Sequence, residues 1–378
     1  MQKIFVLSIF VVSFNACQTN HKVSVARLTS EKALLRDIKA ICQQYKMPAM
    51  AAAVFSDKSI KSIALSGLRA NNAPQKVTAD DLFHLGTASQ VLTSFWAALL
   101  VESGQINWET TIIEVFPAWK DHVLKVYQGL SLSDLLSHRS KLPAFNSDKD
   151  IAKLPNFEGS PSDKRWAFAK WLLRQNPIKP QNESAFSFSK SGYAIAAAML
   201  EKRSQNSWET AIQKDIALPL SLSIQLGWPT AYNKQQPHGH YARNPLDSNL
   251  RAVTQDNMFY LDDIFAPADN LSMSIGNFAQ YLQLHLQGLR GQDNYLSSKT
   301  YHQLHRSNAK NSNGWTQLIQ NNKLISTIDG TNGTFYTQVV LYPDQNLGLL
   351  IFVNAANLNA TKAVYSLRKK ILTSYLSK

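Results

Sequence analysis

The stretch Phe83–Gly104, FHLGTASQVLTSFWAALLVESG, decides how the chain folds. Val91, Phe95 and Leu99 fill one row at helical spacing, and Leu92, Trp96 and Leu100 fill the adjacent one. Such a helix is apolar nearly all round and belongs at the centre of a lobe. Ser103-Gly104 ends it. The first turn, Thr87-Ala88-Ser89-Gln90, has two explanations. TxxQ ahead of an apolar run is a capping box: the Thr87 hydroxyl accepts the N3 amide hydrogen and the Gln90 side chain returns to the Thr87 amide. That contributes about 1 kcal/mol to the helix and no chemistry. The alternative is the remnant of an active site.

On the N-terminal side, Leu34, Leu35, Ile38, Cys42 and Tyr45 recur at helical spacing and Pro48 closes that helix. The apolar runs Ala49–Phe55 and Ile60–Leu65, parted by Ser56-Asp57-Lys58-Ser59, predict a hairpin. On the C-terminal side, residues 106–297 alternate helical patterns with long polar loops. Lys323–Thr327, Thr334–Tyr342 and Leu347–Asn354 then read as strands, and a final helix covers about 361–376. Strands at both ends with helices between predict an α/β (α+β) fold. Its antiparallel sheet is built from both chain termini and flanked by helices (sheet lobe about 30–67 and 310–378), with an inserted, mainly helical lobe (about 80–300).

The first residues carry a different signal. Lys3, the apolar run Ile4–Phe14 and Ala16 before Cys17 read as an export signal over residues 1–16, too short to span a bilayer as a stable helix. A cysteine at the cleavage point resembles the lipobox of bacterial lipoproteins, which implies lipidation at Cys17 and a membrane-anchored protein of the cell envelope, periplasmic or surface-facing. Phe14 and Asn15 are bulkier than that pattern prefers, so ordinary signal cleavage is the alternative. Residues 17–29 read as a polar tether and 30–378 as the domain. Cys42 is then without a partner and reads as a small buried hydrophobe. The formal net charge is +13, with the basic residues dispersed and no RNP-type or zinc-finger pattern. The expected partner is an anionic envelope or membrane surface and not nucleic acid.

Six segments in order carry a family resemblance: KMPAMAAAVFSDKSIKSIALSG, DLFHLGTASQVLTSFWAALLVESGQI, LSLSDLLSHRSKLPAF, FSFSKSGYAIAAAMLEKRSQNSWETAI, FAPADNLSMSIGNFAQYLQLHLQG and STIDGTNGTFYTQVVLYPDQNLGLLIFVNAAN. The chain resembles the serine β-lactamase and penicillin-binding-protein superfamily, in its branch of class C-like lactamases, D,D-peptidases and esterases. The resemblance covers nearly the whole chain after the signal and implies the β-lactamase/transpeptidase-like fold. It also locates the catalytic positions, and each carries a different residue here.

The family's chemistry needs a serine at the helix N-terminus with a lysine one turn on, in SxxK. Here those positions hold Thr87 and Gln90. Thr87 is internal, so it has no free α-amine to activate it, and Gln90 has no titratable group. The SxxK strings at Ser187–Lys190, Ser307–Lys310 and Ser366–Lys369 do not open this helix and read as coincidence. The YxN position reads Phe188-Ser189-Lys190, which keeps the ring and loses the phenolic proton carrier. Lys190 either replaces the base, or reaches solvent or a carboxylate. The KTG or HxG position reads Ile328-Asp329-Gly330. Asp329 would repel carboxylate-bearing ligands unless tied up locally. Gly330 leaves the Thr331 amide free to pair with the Thr87 amide as an oxyanion-hole-like site. Lys141 and Asp269-Asn270 stand where the family has glycines, so backbone turns there are expected to differ.

No metal and no cofactor is expected. His238-Gly239-His240 opens like HxHxDH, but Ala242 and Arg243 replace its later ligands, and His302 and His305 lack the glutamate of HExxH. The leading expectation is a non-hydrolytic pseudoenzyme, a binding or regulatory module of the envelope. Its ligand site would include Thr87, Ser189, Asp329, Gly330 and Thr331, facing a peptidoglycan-derived or acyl ligand. The alternatives are a weak acyl hydrolase using Thr87 with Lys190 as relocated base, and a purely structural envelope protein.

Overall fold

The computed structural model describes residues 16–178, 186–244, 247, 249–254, 262–305, 312–320 and 322–376, with side chains from Ser30 onward except at 148 and 376. Helix α1 (Ala16–Tyr45) runs through residues 17–29, where the sequence pattern predicts a tether. No proline or glycine interrupts Ala16–Tyr45, so the half packed from Leu34 onward can propagate backward. Residues 1–15 of the expected export signal lie outside the described residues. Among the described residues, no helix is long and apolar enough to cross a membrane.

The chain then forms the expected hairpin, β1 (Ala49–Phe55) and β2 (Ile60–Gly67). Two short strands, β4 (Ile224–Leu226) and β5 (Leu271–Ser274), join β3 (Leu82–His84) in a small sheet of order β3-β5-β4. Strands β6 (Thr316–Gln320), β7 (Lys323–Thr331), β8 (Tyr336–Tyr342) and β9 (Leu347–Val353) complete the main sheet, of order β2-β1-β9-β8-β7-β6. Every pairing in it is antiparallel, and the N-terminal hairpin meets the C-terminal strands through β1 and β9, from Met50↔Val353 to Phe55↔Gly348.

Strand β1, AMAAAVF, is wholly buried because both faces of the sheet are covered. Met50, Ala52 and Val54 join Leu34, Ile38 and Ile41 of α1 and Val364, Leu367 and Ile371 of the last helix. Ala51, Ala53 and Phe55 face the other core, with Phe95 and Trp96. Strand β6 was not legible in the sequence because it is a short edge strand, TQLIQ, with polar residues at both ends. Strand β7 runs to Thr331 rather than the expected Thr327, which places Ile328-Asp329-Gly330 inside a strand.

Helix α2 (Gln90–Glu102) is the predicted buried helix. Against it pack α5 (Lys190–Ser204) and α7 (Ser298–His305), and α6 (Ile275–Leu289) reaches it through Tyr281, whose hydroxyl donates to the Val91 carbonyl; α3 (Leu132–Leu136) and α4 (Pro161–Leu172) pack on α5, while α8 (Leu358–Leu376) closes the chain against α1. The approach of α5 to α3 depends on Gly192, where a Cβ would stand 2.7 Å from the Leu135 carbonyl oxygen. Tyr193 next to it donates to the Leu136 carbonyl at 3.0 Å. This contact fixes the turn after α3 that carries His138.

Candidate functional site

Three elements converge on the start of α2. Gly86 takes φ +55° and a Cβ there would lie 2.4 Å from the Thr331 carbonyl carbon, while a Cβ on Gly330 would lie 2.5 Å from the Ala88 nitrogen. Strand β7 and the 3₁₀ turn Gly86–Ser89 therefore touch backbone to backbone, and only glycine fits at either point. The third element is the pair of turns carrying His138 and Phe186–Lys190.

The capping box expected at Thr87–Gln90 is absent. Neither the 3₁₀ turn nor α2 has a side-chain cap, and the N-cap positions fall on Leu85 and Ser89. Thr87 lies inside the 3₁₀ turn, which denies it the extended backbone a capping residue uses. Its hydroxyl instead donates to the Asp329 carbonyl at 3.4 Å and accepts from the Thr331 amide at 3.3 Å. The Thr331 amide, expected to be free for a ligand, is thus engaged by Thr87 itself.

Gln90 also turns away from the helix end. Its Oε1 lies 3.1 Å from His138 Nε2, and His138 Nδ1 accepts the Ser189 amide at 3.1 Å. A ring nitrogen that accepts an N–H carries the lone pair, so the hydrogen of His138 is on Nε2 and Gln90 Oε1 receives it. Burial pushes His138 down to about 4, so the ring is neutral near pH 7. His138 packs against Phe188, with ring centroids 4.7 Å apart, and against Phe186 and Tyr193.

Thr87, Gln90, Phe188, Ile328 and Asp329 line one pocket of about 180 Å³. Sequence reasoning missed the other side chains that complete it, chiefly His138, Phe186 and Trp315. A histidine inside the SHRSKLP turn was the available signal. The other expected site residues lie beside the lining. Ser189 is buried and caps α5, accepting from the Gly192 amide at 3.2 Å. Thr331 directs its hydroxyl to the Phe335 carbonyl at 2.8 Å. Lys190 forms an ion pair with Asp269, whose carboxyl is raised by burial while Lys190 pulls it down. The Asp329 carboxylate is exposed and accepts from Gln338 Nε2 at 2.7 Å.

The remaining motif residues have structural partners. Lys141 keeps a left-handed turn at φ +56°, the conformation a glycine would take, so the different turn expected there is not seen. His240 is buried between the Asn354 carbonyl and the Asn71 amide, and His238 bonds the Val253 carbonyl. Burial pushes the Cys42 thiol up to about 12, as befits an inert buried cysteine. Of the SxxK strings, Ser187–Lys190 leads into α5, Ser366–Lys369 lies within α8 and Ser307–Lys310 lies outside the described residues.

A sheet built from both termini, with a pocket between the start of a buried helix and a sheet strand, defines a serine β-lactamase and penicillin-binding-protein type of scaffold. The chain belongs to the beta-lactamase family, whose model matches residues 33–370. It is similar to penicillin-binding protein 4 of Amycolatopsis lactamdurans, at 25% identity over 191 residues, 50% of this chain and 47% of that protein. The chain spans less than half the length of the curated relatives it matches. Among solved structures it resembles a β-lactamase from Sulfitobacter sp. EE-36, with TM-score 0.71 and 17% identity over 91% of this chain and 99% of that one. The octameric penicillin-binding protein homologue from Pyrococcus abyssi gives TM-score 0.70 and 18% identity, over 90% and 77%. At these identities the structural likeness speaks for the fold alone.

Proposed function

We propose that the protein is a non-hydrolytic binding or regulatory module of the cell envelope, built on the β-lactamase scaffold. The observation that carries this is the chain of hydrogen bonds from the Ser189 amide through His138 to Gln90. Acyl transfer needs a group that removes the nucleophile's proton. Gln90 has none to offer, and the His138 lone pair is occupied by the Ser189 amide while its N–H faces Gln90. The Thr87 hydroxyl meets the backbone oxygen of Asp329, which accepts a hydrogen bond and does not remove the proton. Lys190, the relocated base of the hydrolase alternative, is held by Asp269.

Intact mass after exposure to a β-lactam and to a fluorophosphonate tests this reading, with Thr87→Ala as control. The expected result is no adduct on folded protein. An adduct that maps to Thr87 and vanishes in the control overturns it. Export and lipid attachment at Cys17 are part of the same proposal and rest on the Lys3, Ile4–Phe14 and Cys17 pattern. Metabolic labelling with palmitate is expected to mark the protein and to fail in Cys17→Ala.

A further inference from the structure

The outer side of the α1/α8 helix pair carries charge that the pocket does not use. Both helices lie on one face of the sheet, where Leu34, Ile38 and Ile41 of α1 and Val364, Leu367 and Ile371 of α8 close over the same core. Their exposed residues are chiefly basic. Lys32, Arg36 and Lys39 are exposed and follow one another by four and three residues, the spacing of one side of a helix, and Lys46 just past the helix end extends the row. On α8, Leu358, Lys362, Tyr365 and Lys369 form an exposed row at the same spacing, flanked by Arg368 and Lys370. From Ser30 to Lys46 and over Leu358–Leu376 there are eight basic residues and two acidic ones, so these segments hold +6 of the formal net charge of +13. Of the two acids, Asp37 is held between the helices by Arg36 at 3.3 Å and Lys370 at 3.8 Å, and Glu31 is half-buried. Asp329, which acts on the Tyr336 hydroxyl together with Arg368, is engaged by Gln338.

Charge alone suits any polyanion, and the apolar members of the α8 row narrow the partner. Leu358 is 40% exposed and Tyr365 42%. A tyrosine and a leucine set among lysines match the boundary of a bilayer, where basic residues meet anionic head groups and apolar groups enter beneath them. Resting on the cell-envelope reading above, we propose that the α1/α8 face docks the protein on an anionic phospholipid bilayer. Each Lys or Arg near such a surface strengthens binding about fivefold. Cys17 is the second residue of α1, so an acyl chain attached there would enter the membrane from the same helix that meets its surface. Ile328 of the pocket packs in the core on the opposite face of the sheet, with Phe95 and Trp96, so docking leaves the pocket uncovered.

Vesicle co-sedimentation tests this with the full chain carrying Cys17→Ala, so that no acyl chain contributes. Vesicles of phosphatidylcholine alone give the baseline, including any contribution of the apolar run Ile4–Phe14. Binding to vesicles that also contain phosphatidylglycerol is expected to be at least tenfold tighter at low salt and to fade as salt is raised. Lys32→Gln, Lys362→Gln and Lys369→Gln together are expected to weaken it at least twentyfold. Lys120→Gln, Lys125→Gln and Lys170→Gln, equal in charge and exposed on the helical lobe, are expected to leave it within threefold. Tyr365→Ser is expected to weaken vesicle binding at least threefold and to leave binding of inorganic polyphosphate within twofold.

No preference for anionic vesicles, equal losses in the two triple variants, or indifference of the vesicles to Tyr365→Ser overturns the proposal. The second outcome would make binding a matter of net charge, and the third would point to a soluble polyanion. These failures are separable from failure of the reading beneath them. An unlabelled chain in the palmitate experiment sinks lipid attachment, and an adduct on Thr87 sinks the non-hydrolytic role, whatever the vesicles show.

Discussion

Lys190 and Asp269 form one ion pair between the start of α5 and the segment before β5. By the resemblance read from the sequence, Lys190 stands in place of an asparagine and Asp269 in place of a glycine, and the structure pairs the two. Asp269 is 6% exposed and Lys190 18%, so each charge is largely withdrawn from water and depends on the other. The lysine therefore has a structural role that accounts for it without any part in catalysis.

Removing one partner leaves a buried charge alone. Lys190→Met is expected to destabilise the protein by about 3 kcal/mol, the lower end of the range for breaking a buried pair. Lys190→Asn combined with Asp269→Gly, which restores the family's residues, is expected to recover more than half of that loss. Urea denaturation of the single and double variants measures the coupling. Additive losses would refute the pairing.

Backbone contact between β7 and the turn before α2 leaves no room for a side chain at Gly330, as it leaves none at Gly86. A Cβ at Gly330 would stand 2.3 Å from the Leu85 carbonyl oxygen and 2.6 Å from the Ala88 Cβ. Gly330→Ala is expected to cost about 1–3 kcal/mol by forcing strand and turn apart. The same displacement would break the bond from the Thr331 amide to Thr87, so hydrogen exchange at Thr331 should accelerate along with the loss of stability.

Restoring the SxxK pair alone is expected not to restore hydrolysis. In Thr87→Ser with Gln90→Lys, Phe188 still lacks the phenolic hydroxyl and Ile328 still lacks a cationic or imidazole group. The new lysine would also face the Nε2–H of His138, two donors without an acceptor. No turnover of a chromogenic β-lactam is expected, together with a loss of about 1–3 kcal/mol in stability from the broken bond to His138.

Buried histidines make stability depend on pH in a defined direction. Burial holds His84, His138 and His240 down at about 4 and His285 at about 3, against an ordinary value near 6.5. The unfolded chain binds these protons first as pH falls. The stability they contribute is complete above about pH 6.5 and is lost as pH falls toward 4. The midpoint of thermal unfolding should drop between pH 7 and pH 4.5, and drop less steeply in His240→Gln. An equal slope in that variant would remove His240 from the explanation.

Much of the fold was legible because local patterning and tertiary packing agree. Ala49–Phe55, Leu347–Val353 and the buried helix at Gln90–Glu102 each read the same from periodicity as they appear in space. Strand β6 was hidden because a short edge strand needs no apolar alternation. Thr87, Gln90, Phe188, Ile328 and Asp329 meet at one pocket as their places in the motifs implied, while His138 joins it from a segment read only as a turn and Trp315 from a stretch of the sheet lobe that had no element assigned to it.

The sequence by itself determined the scaffold and the chemical identity of each motif residue, including the loss of the titratable groups at Gln90, Phe188 and Ile328. Tertiary structure alone decided what the replacements do. A capping box uses only atoms within one helical turn, so the sequence favoured it at Thr87–Gln90. Strand β7 and the His138 turn bring acceptors and donors to the same atoms from more than forty residues away. Those long-range bonds displace the local ones because they satisfy backbone and ring groups that packing has already withdrawn from water.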